Sequence, residues 1–250
     1  MPPECQILEG YLSIRAALEA GFRDVHQILI DESKRRDRRL RGLRRQAQAA
    51  SVPVIFAARA AIENYASGSS HGGLIARVSE RRFCQLEDLL PMEGAAFIVM
   101  LDGIEDPYNF AGALRALYAA GADGAVLRPR NWSSASALVG RASAGTIERL
   151  PLAIADTAAD AADFYRARGL AIACAAKTES SRSLYEADLT PPLFLLIGGE
   201  KRGVTRSFLR TADLPLQIPY GRDFEHSLGA VGAASVIAFE AMRQRRCKSL

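Results

Sequence analysis

From residue 95 onward the chain is built on unbroken apolar runs: "AAFIVML" at 95–101, "LAIACAA" at 170–176 and "PLFLLIGG" at 192–199. A strand with one wet face alternates apolar and polar residues, and these do not. Runs without alternation belong to strands buried on both sides. Segments with helical spacing lie between them, such as "NFAGALRALYAAG" closed by Gly121, "TAADAADFYRARG" capped by Asp156 or Thr157 and Gly169, and "VTRSFLRTA". Shorter strands are expected at "GAVL", "PLAIA" and "LPLQIP", and a long alanine-rich helix from about Leu228 to Arg246. Buried strands joined by crossover helices make an α/β domain with a mostly parallel sheet, expected over 95–250.

The first 80 residues carry a different, smaller pattern. "YLSIRAALEAG" reads as a helix stopped at Gly21, "VHQILI" and "VPVIF" as strands, and "GGLIARVSE" as a third strand. This predicts a small α/β domain over 1–80. The charged, then apolar stretch broken by Pro91 and Gly94 is expected to be a linker over 81–94, with room for a short helix. Between the first strands lies "KRRDRRLRGLRR", Lys34 to Arg45, with eight basic residues and one acid. It is expected to be helical through Ala50. Such a cluster fits either a phosphate-binding patch or a solvated helix face.

Several functions are disfavoured. No apolar run approaches the roughly 20 residues of a membrane span. The start "MPPECQILEG" lacks a basic and apolar leader, so an intracellular, cytoplasmic protein is expected. Four scattered cysteines and three histidines show no metal-ligand spacing, so no metal is expected. No two glycines are separated by one residue, which removes the GxGxxG dinucleotide loop. "GGEKRGVT" has the glycine gap of a phosphate-binding loop, but Val204 stands where that loop needs lysine. "GRASAG" at Gly140 lacks the lysine as well.

Ligands of open α/β sheets sit beyond the carboxyl ends of the strands. Three such ends carry polar residues. In "DGIEDPYNFAGALR", Phe110, Leu114, Leu117 and Tyr118 share a helix face and Arg115 lies off it. Arg115 suits either a site or a snorkelling surface position, and Asn109 either a site or an N-cap. "LFLLIGGEKRG" pairs glycines that permit close backbone approach with Glu200, which also reads as an acid on a tight turn. "QIPYGRDFEHSLGAVGAA" enters a helix near Ser227, which also reads as a cap.

These three segments, in this order, resemble the motifs of the SpoU/TrmH family of RNA ribose 2′-O-methyltransferases, within the SPOUT superfamily. The resemblance covers roughly 95–246. Residues 4–80, through "GYLSIRAALEAG" and "HGGLIARV", resemble the ribosomal-protein-like RNA-binding domain often fused in front of it. It implies a trefoil knot in the C-terminal domain and S-adenosylmethionine held there, with Gly198, Ile218 and Leu228 as cofactor contacts. Asn109, Arg115, Glu200 and Ser227 fall at the positions tied to substrate and catalysis. Structured RNA, ribosomal before transfer RNA, and a homodimer through the C-terminal domain are the implied partners. Two positions depart from the motifs: Ala111 stands in place of a glycine, and Gly229 in place of an asparagine.

Methyl transfer to a ribose hydroxyl needs oxygen, methyl and sulfur in line and support for the developing alkoxide. A guanidinium is not deprotonated in proteins. Arg115 is therefore expected to hold phosphate and stabilise charge, with Glu200 or a water taking the proton. The rival expectation, raised by Gly229, is an RNA-binding protein of the same fold with weakened or lost catalysis.

Overall fold

The computed structural model describes residues 5–68, 70–129, 136–199 and 201–248. The elements begin with β1 (Gln6–Glu9), α1 (Tyr11–Ala20), β2 (Val25–Asp31), α2 (Arg41–Ala49), β3 (Val54–Ala57), α3 (Arg59–Glu63) and β4 (Leu74–Val78). Next come β5 (Phe97–Asp102), α4 (Pro107–Ala119), β6 (Gly124–Leu127), α5 (Ser136–Ala142), α6 (Thr146–Arg149) and β7 (Leu152–Ile154). The last are α7 (Ala158–Arg166), β8 (Ala171–Ala175), β9 (Arg182–Ser183), β10 (Leu193–Gly198), α8 (Arg206–Thr211), β11 (Leu214–Gln217) and α9 (Ala230–Lys248). No described helix is long and apolar enough to cross a membrane. The chain divides into two compact units, Met1–Arg82 with Asn131–Arg149, and Phe83–Arg130 with Leu150–Leu250.

The first unit has a four-stranded sheet in the order β1-β4-β2-β3. β4 runs antiparallel to both neighbours, and β2 and β3 are parallel. Leu8, Ile14, Ile28, Ile30, Leu43 and Val78 fill its core. β1 and the short α3 escaped the sequence pattern; each is only one turn or a few residues long. The basic stretch differs from the single helix expected. Asp31 and Asp37 each accept a backbone N–H two residues on, from Ser33 and Arg39, and start separate 3-10 turns. Such Asx bonds compete with helix propagation, so α2 begins only at Arg41.

The segment of α5 and α6 packs in this unit, although it lies after β6 in sequence. Two nearly inaccessible side chains hold it. Arg23 Nε donates to Glu148 Oε2 at 2.8 Å, and its Nη1 donates to Gln6 at 2.7 Å. Arg141 pairs with the fully buried Glu9, which also accepts from Ser67. The "GRASAG" glycines serve packing. A Cβ on Gly140 would lie 3.2 Å from Ser13 Oγ, and one on Gly145 would lie 2.6 Å from the Leu12 carbonyl oxygen. The glycines here bring α5 and α6 against α1.

The second unit is a seven-stranded sheet in the order β7-β6-β5-β10-β8-β11-β9, with every pair parallel. The apolar runs form its centre: Ile98, Met100, Ile172, Phe194 and Leu196 are buried. Tyr165 of α7 stacks on Phe194 at 5.2 Å and donates its hydroxyl to the Leu86 carbonyl at 2.9 Å. The expected linker packs here from Phe83 onward. Cys84 makes an isolated parallel β-bridge to Ala153, and Leu89 ends a 3-10 turn and lies against Gly124. Strand order turns about the β5–β10 pair: β6 and β7 extend to one side, and β8, β11 and β9 to the other. That is a topological switch point, where a crevice opens beyond the strand ends.

Candidate active site

A cleft opens on the β10 side of the β5–β10 pair, with no residue of β5 in its lining among the described residues. It measures about 240 Å³ and lies beyond the carboxyl ends of β8, β10 and β11 and against the first turns of α9. Its walls are Ile197, Leu216, Ile218, Leu228 and Ile237 with backbone between them, and Lys177, Tyr220 and Ser227 bring polar groups. Gly198, Ile218, Leu228 and Ser227, drawn from two of the three motif segments, therefore share one site. Lys177 and Tyr220 were missed. The signal for Lys177 was the polar "KT" directly after the apolar run that became β8.

Gly198 and Gly199 fit where other residues do not. A Cβ on Gly198 would collide with the Gly203 backbone, and one on Gly199 with the Gly103 carbonyl. The turn closes with the Gly203 N–H donating to the Gly199 oxygen at 2.8 Å. Lys201 reaches across to Glu105 at 2.6 Å, joining this turn to the loop after β5. So Gly198, Gly199 and Gly203 form a tight backbone crossing at the cleft. Glu200 lies outside the described residues.

Asp106, not Asn109, caps α4. Its side chain accepts the Asn109 N–H at 2.8 Å, and Pro107 occupies the first turn. Asn109 is half-buried and Arg115 exposed; neither lines the cleft. Phe110, Leu114 and Leu117 are buried as expected, but Tyr118 is 40% exposed. Eight residues beyond Phe110, it has rotated about 80° from the core direction. α4 packs on α9 closely: a Cβ on Gly112 would lie 3.1 Å from Val231.

At the head of α9, the Gly229 carbonyl accepts the Ala233 N–H at 3.0 Å. Gly229 is thus the cap position, and Ser227 stands outside the helix, exposed at the cleft rim. The capping alternative for Ser227 is set aside by this geometry. The loop between β11 and α9 is fastened from within. Tyr220 Oη accepts the Leu228 N–H at 3.0 Å, and Lys177 Nζ donates to the Phe224 carbonyl at 2.7 Å.

Residues 96–239 match the SpoU rRNA Methylase family, and residues 7–84 match the domain described as RNA 2'-O ribose methyltransferase substrate binding. The chain belongs to the SpoU rRNA methylase family. Among curated relatives of this SpoU protein is the 23S rRNA (guanosine-2'-O-)-methyltransferase RlmB of Ralstonia nicotianae, 32% identical over 243 residues and covering 96% of each chain. The protein of the same name from Shewanella oneidensis is 32% identical, covering 96% of this chain and 98% of the relative. Among solved structures, the SpoU methyltransferase AviRb from Streptomyces viridochromogenes, in complex with the cofactor AdoMet, has a TM-score of 0.79 at 23% identity. That match covers 97% of this chain and 91% of the other and shows a shared α/β fold.

Proposed function

We infer that this SpoU protein transfers a methyl group from S-adenosylmethionine to a ribose 2′-hydroxyl of ribosomal RNA, with a guanosine of 23S rRNA as the target. The cleft carries the inference: in a chain of this family, it gathers Gly198, Ile218, Ser227 and Leu228 beyond the carboxyl ends of β8, β10 and β11. Its lining suits an adenosyl group. Aliphatic side chains offer a slot for a flat apolar base, and the backbone along the lining offers edge contacts. When bound, S-adenosylmethionine supplies a methyl carried on a sulfonium.

The protein's own groups then have to bind and orient RNA. Gly198, Ile218 and Leu228 hold the cofactor. Arg115 offers a guanidinium fork for a phosphate beside the target ribose and supports negative charge on the 2′-oxygen. Asn109 and Ser227 orient the ribose, and Glu200 or a water accepts the 2′-hydroxyl proton. The first unit, as the RNA-binding domain, supplies affinity and register through phosphate contacts. The double close approach of Gly198–Gly199 to Gly103 and Gly203 supports a trefoil-knotted C-terminal domain. Phe239, 43% exposed on α9, supports a homodimer through that helix. A cytoplasmic location follows from a ribosomal substrate.

The test is methyl transfer from labelled S-adenosylmethionine to an unmodified 23S rRNA transcript, with mapping of the 2′-O-methyl. Incorporation at one guanosine is expected. A second reading, RNA binding without catalysis, is favoured by Gly229, which gives the head of α9 no side-chain amide. RNA binding with no incorporation in this assay would replace the first reading with the second.

A further inference from the structure

Three aromatic rings run along the loop at the mouth of the cleft. Tyr220 and Phe224 lie 5.9 Å apart, and Phe224 meets His226 edge-on at 5.4 Å. Tyr220 lines the cleft and is half-buried, whereas His226 is exposed and Phe224 is 47% exposed. Folding alone gives no reason to hold a phenyl ring in water. Yet the ring is held: Lys177 Nζ grips the Phe224 carbonyl and sits 5.0 Å from the Tyr220 ring centre, and Tyr220 ties the far end at Leu228. The next residues, Ser227 and Leu228, line the cleft itself.

We propose that Phe224, supported by Tyr220 and His226, is the platform on which an unpaired base of the RNA substrate stacks when its ribose enters the cleft. This rests on the methyltransferase reading above. Sequence-specific recognition of structured RNA targets unpaired nucleotides, whose bases have lost a stacking neighbour. Such a base needs a new face, and proteins supply one with an aromatic ring. Asp223 and Glu225 flank Phe224 in sequence and are balanced by Arg222 and by Lys177, so the charges around the ring do not favour a phosphate over an uncharged base. The ring itself offers the base a face. Phe224 is thus a specificity and positioning residue for the RNA, separate from the groups that hold the cofactor.

The experiment compares wild type with Phe224→Leu and Phe224→Trp. Methyl transfer to the unmodified 23S rRNA transcript is followed against RNA concentration, filter retention of the same transcript reads binding without chemistry, and calorimetry reads S-adenosylmethionine alone. Leucine keeps the bulk but removes the π face; tryptophan keeps a face. Phe224→Leu is expected to raise the half-saturating RNA concentration by roughly 5- to 150-fold, the loss of one base–aromatic stack. Its cofactor affinity should stay within about twofold, and Phe224→Trp should restore RNA affinity. Unchanged RNA dependence in Phe224→Leu overturns the proposal. So does an equal loss of cofactor affinity, which makes the ring part of the cofactor site, or an equal defect in Phe224→Trp, which makes it a matter of loop shape. If wild type transfers no methyl, the function above fails, and filter retention still decides the stacking.

Discussion

Arg115 and Glu19 show how differently two charged residues of this chain act. Arg115 is exposed on α4. If it supports charge only at the transition state, Arg115→Ala should lower single-turnover methyl transfer by about 10²–10³. S-adenosylmethionine binding by calorimetry should hardly change. Arg115→Lys should rescue poorly, because an ammonium cannot form the guanidinium fork; near-wild-type rates in either variant would leave Arg115 a surface residue. Glu19, on α1, is a structural carboxylate. Burial opposes its ionisation, but hydrogen bonds from Arg15, Gln46 and Arg149 outweigh burial and hold its pKa down to about 2, against an ordinary 4.5. A depressed carboxylate pKa adds stability above the unfolded value that is lost as pH falls through the folded one. The first unit should therefore weaken progressively from about pH 5 toward pH 2. Glu19→Gln should be less stable at pH 7 and lose less on acidification, measured by denaturant titration at pH 7, 5 and 3.

At the scale of elements, α9 is fastened by its far end. Arg245 donates to the carbonyls of Ala95, Ala96, Leu189 and Pro191, and its guanidinium lies 5.1 Å from the Phe97 ring centre. One planar fork thus satisfies the backbone entering β5 and that just before β10, and fixes the helix whose head bounds the cleft. Arg245→Met should cost about 2–4 kcal/mol, since shielded carbonyls lose their donor; thermal melting with and without S-adenosylmethionine would show it. A change within experimental error would mean that water replaces the donor freely. None of this was legible in the sequence, where Arg245 is one of several basic residues ending a helix. The parallel sheet was legible, because burial on both faces erases alternation from each run. The shared place of Gly198, Ile218 and Leu228 was expected only from the family resemblance. Short elements such as β1, α3 and β9 carry too few residues to show a period. The packing of α5 and α6 with the first unit was hidden for another reason. An apolar face fits either unit, and the choice was made by pairs such as Arg23–Glu148, 125 positions apart.

For the whole molecule, the question is how RNA reaches the cleft. The net charge of +4 is small, so attraction has to come from distribution. Part of the basic stretch is already committed. Arg35 pairs with Glu32 and Arg39 with Asp37, while the Arg35 and Arg44 guanidiniums lie over the Phe56 ring. Lys34, Arg36, Arg38, Arg41 and Arg45 have no ion pair among the described residues and remain for phosphate. Each phosphate contact releases counterions, so log affinity falls with log salt by roughly 0.7–0.9 per contact. Arg36→Glu, Arg38→Glu and Arg41→Glu combined should flatten that slope by about 2–3 for a 23S rRNA transcript and weaken binding at low salt. Arg35→Ala should do much less, because its charge is already answered by Glu32. S-adenosylmethionine affinity should be untouched in both, since the cleft residues all belong to the second unit. An unchanged slope in the triple variant would make the stretch a solvated surface and move RNA recognition elsewhere on the chain.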